Sequence, residues 1–274
     1  MCPRVCGHHV SIVATPMKTK TLVVLAGLLA LRVGAQSVLF DFENAPRYTP
    51  LPISLTVGGI TAQFSATGQG FSIQSPTSAG VIPVGFSGNC IFPSSIYAAD
   101  LMVAFSTPIA DFSILYAPQE LACDSSATMR VTAYLNGASV GTATTNAQAG
   151  TWPSETLRFS SVQGFDKVVV HYDKAPVTGG DYGPIFMADN MAVTPAPPPI
   201  ILGNAARLAN GAFQFTFTNT PGTSFTVWGS TDATLPLTNW YVLGSVTETS
   251  AGQYQFTDVQ ATNQSRCFYR VLSP

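Results

Sequence analysis

The stretch TMRVTAYLNGASVGTATT, residues 128–145, decides the fold class. Its first eight residues alternate between the two faces of a strand. One face would carry four apolar side chains, those of Met129, Val131, Ala133 and Leu135. The dipeptide Asn136-Gly137 follows and is a strong signal for a tight hairpin turn, because both residues tolerate positive φ. The stretch therefore predicts two antiparallel strands.

The same alternation recurs along the chain, in LMVAFS (101–106), FQFTFT (213–218) and SFTVWGS (224–230). No segment beyond the N-terminal region has a convincing helical period. Many short strands at regular spacing are typical of β-sandwiches. The sequence therefore predicts an all-β protein, a jelly-roll-like sandwich followed by a smaller one.

Composition excludes several classes of protein. The 46% hydrophobic fraction is enough to build cores, which argues against disorder. Charged residues make up only 9% of the chain, and its few basic residues form no stripe. Because nucleic acid binding requires clustered cations, a nucleic acid partner is not expected.

The N-terminal region resembles a secretion signal. From Met17 it reads MKTKTLVVLAGLLALRVGAQS, in which two lysines precede the apolar run Leu22–Leu31. Ten apolar residues are too few to span a bilayer, and small residues end the segment at Ala35. We expect a signal peptide at 17–35, a secreted mature chain that starts at Gln36, and no membrane span within it. Residues 1–16 are interpreted as a gene-model extension.

A proline-rich segment predicts a domain boundary. TPAPPPI, residues 194–200, contains four prolines, which cannot donate hydrogen bonds within a sheet. We expect a first sandwich over 36–194 with about ten strands, a linker at 195–200, and a second domain over 201–274 with six or seven. Eleven of the fourteen acidic residues precede Thr194, so the acidity belongs to the first domain.

The second domain resembles the small immunoglobulin- or fibronectin-like β-module that ends many secreted proteins of environmental bacteria. The resemblance rests on STD…L…TNW…LG, on G.Y.FTD and on the terminal FYRV..P. It covers nearly the whole second domain. The module carries no catalytic residues, so the resemblance implies a spacer or anchor.

The first domain resembles the jelly-roll sandwiches of secreted bacterial proteins, including carbohydrate-binding modules. It opens with VLFDFEN (38–44) and closes with ADNMAV (188–193). In such folds the first and last strands commonly lie near each other. Asp41 and Glu43 would then meet Asp189, and carboxylates are ligands that Ca²⁺ prefers. We expect a structural calcium ion there; the alternative is that Asp189 accepts backbone N–H groups and Asn190 bridges the sheet edge.

Cysteine usage predicts one disulfide. Cys90 and Cys123 both lie in the first domain of an exported chain. Pairing them would close a loop of about 33 residues and stabilise the fold by roughly 3–4 kcal/mol in the chain-entropy model.

Catalytic machinery is not evident in the sequence. The mature chain has one histidine, His171, within a strand-like run, and it lacks the GxSxG motif of a serine hydrolase. A glycosidase needs two facing carboxylates, and spacing in the sequence cannot show that any two face each other. No catalytic residue is predicted, and a glycoside-acting enzyme remains an alternative.

Aromatic residues in loops favour a binding function. Tyr97, Trp152 and Tyr182 lie in predicted loops, with Asp181 beside Tyr182. Sugar sites on β-sandwiches stack rings on such aromatics and hydrogen-bond the hydroxyl groups; each aromatic could instead anchor its loop to the core. We predict a secreted, non-enzymatic protein that binds a glycan or another cell-surface polymer. The other alternative is a structural surface or matrix component without a small ligand.

Overall fold

The structure, a computed structural model, describes residues 36–68, 70–80, 82–118, 128–147, 153–174, 185–263 and 268–273. The predicted signal peptide and the predicted extension before it lie outside these ranges. The described chain divides into two compact units, one that ends at Ala196 and one that begins at Pro197. Both are built from antiparallel strands, which confirms the all-β prediction.

Ten strands form the described part of the first unit: β1 (Val38–Phe40), β2 (Ile53–Val57), β3 (Ile60–Ala66), β4 (Phe71–Gln74), β5 (Cys90–Pro93), β6 (Leu101–Pro118), β7 (Thr128–Leu135), β8 (Ala138–Asn146), β9 (Glu155–Lys174) and β10 (Phe186–Pro195). A 3-10 helix, Pro76–Ala79, lies between β4 and β5.

Two long strands, β6 and β9, run through both layers of the first unit. Residues 101–105 of β6 pair with β3, whereas residues 109–118 pair with β10 on the same edge. The pairing of β6 with β9 shifts register around Ile109, and Gly164 of β9 has a φ of +73° there. The sheet therefore divides into a first half-sheet, β2-β3-β6-β9-β7-β8, and a second half-sheet, β4-β5-β10-β6-β9, with β1 also on β10.

The two half-sheets enclose one hydrophobic core. Buried side chains from both halves form it, among them Phe64, Val131, Ile114 and Phe186. The Tyr116 hydroxyl of the second half-sheet donates to the Thr145 carbonyl of the first over 3.1 Å. The face of each half-sheet that packs on this core is called inner below, and the other face is called outer.

The hairpin that decides the fold class forms as predicted. β7 pairs with β8 across Asn136 and Gly137, whose φ values of +51° and +82° give the primed turn that this dipeptide favours. Met129, Val131 and Ala133 are fully buried on the inner face. Leu135, at the strand end, is only half-buried.

The first and last strands of the first unit pair, as the jelly-roll resemblance implies. β1 is antiparallel to β10, with Phe40 opposite Met191. β5 occupies the same edge of β10 further along, with Ile91 opposite Ala188. This pairing brings the chain around Asp41 and Glu43 to the middle of β10.

The second unit is a smaller sandwich, described by itself. One sheet orders β11 (Gly203–Arg207), β12 (Phe213–Thr218), β16 (Gln253–Asp258) and β15 (Thr247–Ser250). The other orders β14 (Tyr241–Ser245), β13 (Thr226–Ser230) and β17 (Phe268–Leu272). Aromatic rings fill the space between the sheets, including those of Phe215, Phe217, Tyr254 and Tyr269.

Candidate functional site

A β-bulge in β10 explains its polar centre. Asp189 lies opposite Leu115 and Ala192 lies opposite Ser113, so β10 has one residue more than β6 between these pairs. Asn190 adopts a φ of +48°, the left-handed region that Asn tolerates better than most residues. The extra residue reverses which residues face the core.

The reversal places Asp189 on the outer face. Before the bulge Phe186 and Ala188 belong to the main core, and after it Met191 and Val193 do. Uninterrupted alternation would put Asp189 on the same face as Met191 and Val193. The bulge breaks this alternation, because it shifts the two-residue period by one position.

Asp189 is nevertheless buried, with 1% of its surface exposed, because a loop covers this part of the outer face. The loop, residues 82–88, lies over a small hydrophobic cluster that includes Phe86 and Met187. The Asn190 N–H donates to Asp189 Oδ1 over 2.7 Å, and the Ser87 N–H donates to Oδ2 over 3.3 Å. The Asn190 amide in turn donates to the Gly85 carbonyl over 3.1 Å, which ties the loop to the bulge.

The electrostatics of this site follow from burial and like charge. Burial raises the pKa of Asp189 to about 7, and the charges of Glu43 and Asp41 add to the increase, while its two backbone hydrogen bonds oppose it. Burial also raises the pKa of the Cys90 thiol well above its usual range, with contributions from Asp189 and Glu43. The carboxylates predicted to share a metal are therefore close enough to repel one another.

Glu43 and Asp41 have backbone partners of their own. The Asn89 N–H donates to Glu43 Oε2 over 3.2 Å, and the Glu43 carboxylate lies directly against Gly88. Asp41 Oδ1 accepts the Glu43 N–H over 3.2 Å. The bond from Asn89 joins the turn after β1 to the chain before β5, whereas the bond to Asp41 lies within the turn.

The predicted calcium site is not present as a ready-made ligand set. Among the described residues, no group of three or more His, Cys, Asp and Glu side chains is arranged to hold a metal ion. Asp189 accepts two backbone N–H groups, which is the first half of the alternative that the sequence left open. The Asn190 side chain bonds the covering loop. Calcium binding by Asp41, Glu43 and Asp189 stays a prediction.

The other predicted site residues are mostly outside the described ranges. Tyr97 lies in the loop between β5 and β6 with 66% of its surface exposed, so it does not anchor that loop to the core. Trp152, Asp181 and Tyr182 lie outside the described residues. Cys90 is a free, buried thiol in the structure, while Cys123 also lies outside, so their pairing stays a prediction.

An open groove lies on the same outer face, two residues beyond the bulge. Its volume is about 300 Å³. Four neighbouring strand segments line it with polar or small side chains, namely Ser37, Ala192, Thr194, Ser113, Asp111, Arg158 and Ser160. Strand registry arranges the side chains in two rows, because Ala192, Ser113 and Arg158 lie opposite one another, as do Thr194, Asp111 and Ser160.

Side-chain size gives this groove its depth. Ala192 and Ser113 are small and form the floor, whereas the longer Arg158 lines the groove from β9. Leu39 lies opposite Ala192 on β1 and is 49% exposed. The covering loop lies over the neighbouring part of this face, since a methyl group on Gly85 would lie 3.1 Å from Leu115, which is two residues from Ser113 on the same face.

Two side chains of opposite charge, Asp111 and Arg158, line the groove. Within the part of the chain that the structure describes, neither Asp111 nor Arg158 makes a side-chain hydrogen bond or ion pair, although they lie on adjacent strands. Both are exposed. Sequence analysis overlooked these residues. A signal for them was available in the sequence of β6. Asp111 and Ser113 are two consecutive polar residues on its outer face, whereas other outer positions of this strand are apolar.

His171 lies elsewhere, on the outer face of the first half-sheet. Its Nδ1 is 2.6 Å from Asp100 Oδ1, and both side chains are about one-third exposed. Among the described residues, no hydroxyl group hydrogen-bonds to His171 as the nucleophile of a triad would.

No protein-family model matches this chain, and no curated protein matches it. Among solved structures, the chain is similar to the K1 and K2 cleaved adhesin domains of Lys-gingipain, the first from Porphyromonas gingivalis W83. Identity is 13% and 12%, coverage is 58% of this chain and 98% and 99% of those chains, and the TM-scores are 0.36 and 0.38. The CBM32-1 and CBM32-2 domains of Clostridium perfringens ZmpB match at 7% identity over 86% of this chain and 95% of that chain, with a TM-score of 0.23. At such scores the likeness carries no argument about function.

Proposed function

We propose that this chain is a secreted binding protein whose first unit holds a glycan, or another hydroxyl-rich cell-surface polymer, in the groove beside the bulge. The second unit would act as a spacer or anchor. The observation that carries the proposal is an open groove with charged groups of both signs that have no partner among the described residues. Asp111 accepts, Arg158 donates, and the hydroxyl groups of Ser113, Ser160 and Thr194 do both.

These groups match the chemistry of a sugar ring. A pyranose presents several hydroxyl groups that donate and accept, with apolar C–H faces between them. The exposed Leu39 beside Ala192 offers an apolar contact for such a face. Three strand spacings separate β1 from β9, about 14 Å, which is enough for more than one ring.

The enzymatic alternative has less support. A glycosidase places two carboxyl groups on either side of the bond it cleaves. Among the described residues that line the groove, Asp111 is the one carboxylate. The structural alternative is a surface component without a small ligand. The binding experiment below distinguishes it from a binding function.

Export can be tested by intact mass and N-terminal sequencing of secreted material. We expect a chain that starts at Gln36. A stable secreted product that retains residues 17–35 would contradict this. No helix among the described residues is long and apolar enough to cross a membrane.

Binding is tested by blocking the groove. Ser113→Trp fills the floor on the outer face and leaves the core untouched, so it should abolish binding on a glycan array and in polysaccharide pull-down. Gln63→Trp is the matched control, because Gln63 is exposed between the buried Ala62 and Phe64 of β3, away from the groove. If the unaltered chain binds no glycan, the structural alternative is favoured. If both variants bind like the unaltered chain, the groove is not the site.

A further inference from the structure

Arg158 distinguishes the groove from a surface suited only to neutral sugars. Its guanidinium is exposed, and no carboxylate of the described residues pairs with it. By contrast, Arg130 on the first half-sheet is held 2.9 Å from Asp173. A free guanidinium above a floor of Ala192 and Ser113 presents a planar fork of donors to the groove.

The group that such a fork fits best is a carboxylate or another flat oxyanion. Arginine binds carboxylates through two parallel hydrogen bonds, and these charge-assisted bonds are stronger than bonds between neutral groups. The surrounding hydroxyl groups of Ser113, Ser160 and Thr194 suit the sugar hydroxyls on the same ring. Uronic acids carry both kinds of group on one ring.

Asp111 disfavours ligands with a high density of negative charge. Asp111 lies on β6, next to the strand of Arg158, in the neighbouring row of side chains. One acidic and one basic side chain line the groove, so the lining has no net charge. The first domain is acidic as a whole, since eleven of the fourteen acidic residues precede Thr194. A polymer with several sulfate groups on each unit would meet repulsion from Asp111 and from the domain, whereas a single carboxylate on each ring can pair with Arg158.

We propose that the groove binds a glycan that contains uronic acid, with the sugar carboxylate on Arg158 and ring hydroxyls on Asp111 and the neighbouring hydroxyl side chains. This inference rests on the proposed function and names its ligand class. Asp111 accepts hydrogen bonds from hydroxyl groups and also selects against densely sulfated polymers.

The experiment uses the full exported chain and oligosaccharides of glucuronate, galacturonate, mannuronate and guluronate. Each is paired with its carboxyl-reduced counterpart, in which the ring and its hydroxyl groups are the same and the charged carboxylate is replaced by a neutral group. Dextran sulfate and neutral dextran complete the set. Affinities are measured by titration calorimetry at low and at physiological salt, and thermal melts check that every variant is folded.

We expect at least one uronate to bind and its reduced counterpart to bind about tenfold more weakly or not at all, as the loss of one charge-assisted pair implies. Arg158→Gln should remove this preference, and Arg158→Lys should restore part of it, because lysine keeps the charge without the fork. Lys167→Gln is the matched control, with the same charge change in the same strand at a position paired with the first half-sheet. Asp111→Asn should increase binding of dextran sulfate.

Other results separate the two proposals. If reduced or neutral glycans bind as well as uronates and Arg158→Gln changes nothing, the ligand class is wrong while the groove's glycan binding stands. If all polyanions bind alike, lose affinity with salt and ignore Arg158→Gln, the inference is overturned in favour of nonspecific attraction. If no glycan of any kind binds, the inference and the proposed function fail together.

Discussion

The outer face of the second half-sheet contains two regions built on the same strands, β10 and β6. In one region a charged side chain is buried and hydrogen-bonded, and in the other the charged side chains are exposed. Around Asp189 the face is covered by residues 82–88, and the carboxylate is buried and bonded to two backbone N–H groups. Three residues further along β10, around Ala192 and Ser113, the face is open, and its charges are exposed without partners among the described residues. Both regions lie on the same two strands. Burial under a loop therefore distinguishes the structural carboxylate of Asp189 from that of Asp111, which is accessible to a ligand.

Energetics explain why the covered region must satisfy its charge and the open region need not. A buried ionised carboxylate without partners is costly, so it acquires hydrogen bonds or a raised pKa, and Asp189 has both. An exposed charge stays hydrated, so it needs no partner within the protein before a ligand binds. Unpaired charge in a groove is therefore informative about binding, whereas a buried acidic residue is first explained by the fold.

The largest effect is expected where the bulge sets the boundary between the inner and outer faces. Met191→Ala should lower the free energy of unfolding by about 2–5 kcal/mol, because Met191 is fully buried in the main core. Ala192→Ser, one residue on, should change it by no more than about 0.5 kcal/mol, because Ala192 lies on the groove floor. Urea unfolding measures both. Equal or reversed effects would contradict the inward placement of Met191 that the bulge produces.

The covered region should also be sensitive at Gly88. Gly88 has a φ of +52°, and a Cβ there would collide with the Glu43 carboxylate. Gly88→Ala should cost about 1–2 kcal/mol in backbone strain, with about 0.5–1.5 kcal/mol more for the Asn89 N–H bond that Glu43 loses when its carboxylate moves aside. Gly80→Ala is the control, because Gly80 has a φ of +79° and open space around its Cβ position. If the two variants lose equal stability in urea, Glu43 is not packed against Gly88.

Calcium tests whether the covered carboxylates are also a metal site. Asp41, Glu43 and Asp189 carry like charges that act on one another, and a cation would relieve that repulsion. We expect millimolar calcium to raise the melting temperature above that in EDTA, with at most about 2.7 kcal/mol of stabilisation at a hundredfold excess over Kd. Asp189→Asn should abolish the difference. A melting temperature indifferent to calcium would leave Asp189 as a backbone-bonded residue only.

The smallest effect is expected in the open region. A double-mutant cycle of Asp111→Ala and Arg158→Ala should give a coupling energy near zero, because the structure shows no bond between these side chains. The cycle of Arg130→Ala and Asp173→Ala should give about 0.2–1 kcal/mol, as exposed ion pairs do. A larger coupling in the groove than in the Arg130 pair would mean that Asp111 and Arg158 pair in the free protein, which would weaken the case for binding there.

The sequence by itself determined what depends on neighbours in the chain. The two-residue period of TMRVTAYL and the Asn136-Gly137 turn predicted the β7–β8 hairpin, because strand alternation and turn conformation are local properties. The same reasoning gave an all-β chain. It also raised the two interpretations of Asp189, a metal ligand or an acceptor of backbone N–H groups, without deciding between them.

The tertiary structure decided what depends on pairing between distant segments. Asn tolerates a positive φ, but only the registry of β10 with β6 makes Asn190 a bulge and turns Asp189 to the outer face. The groove joins Ser37, Ser113, Arg158 and Ala192, which come from four separate parts of the chain and meet through hydrogen-bonded registry alone. No local pattern encodes that meeting, because a shift of one residue in any of these strands would turn its side chains to the other face.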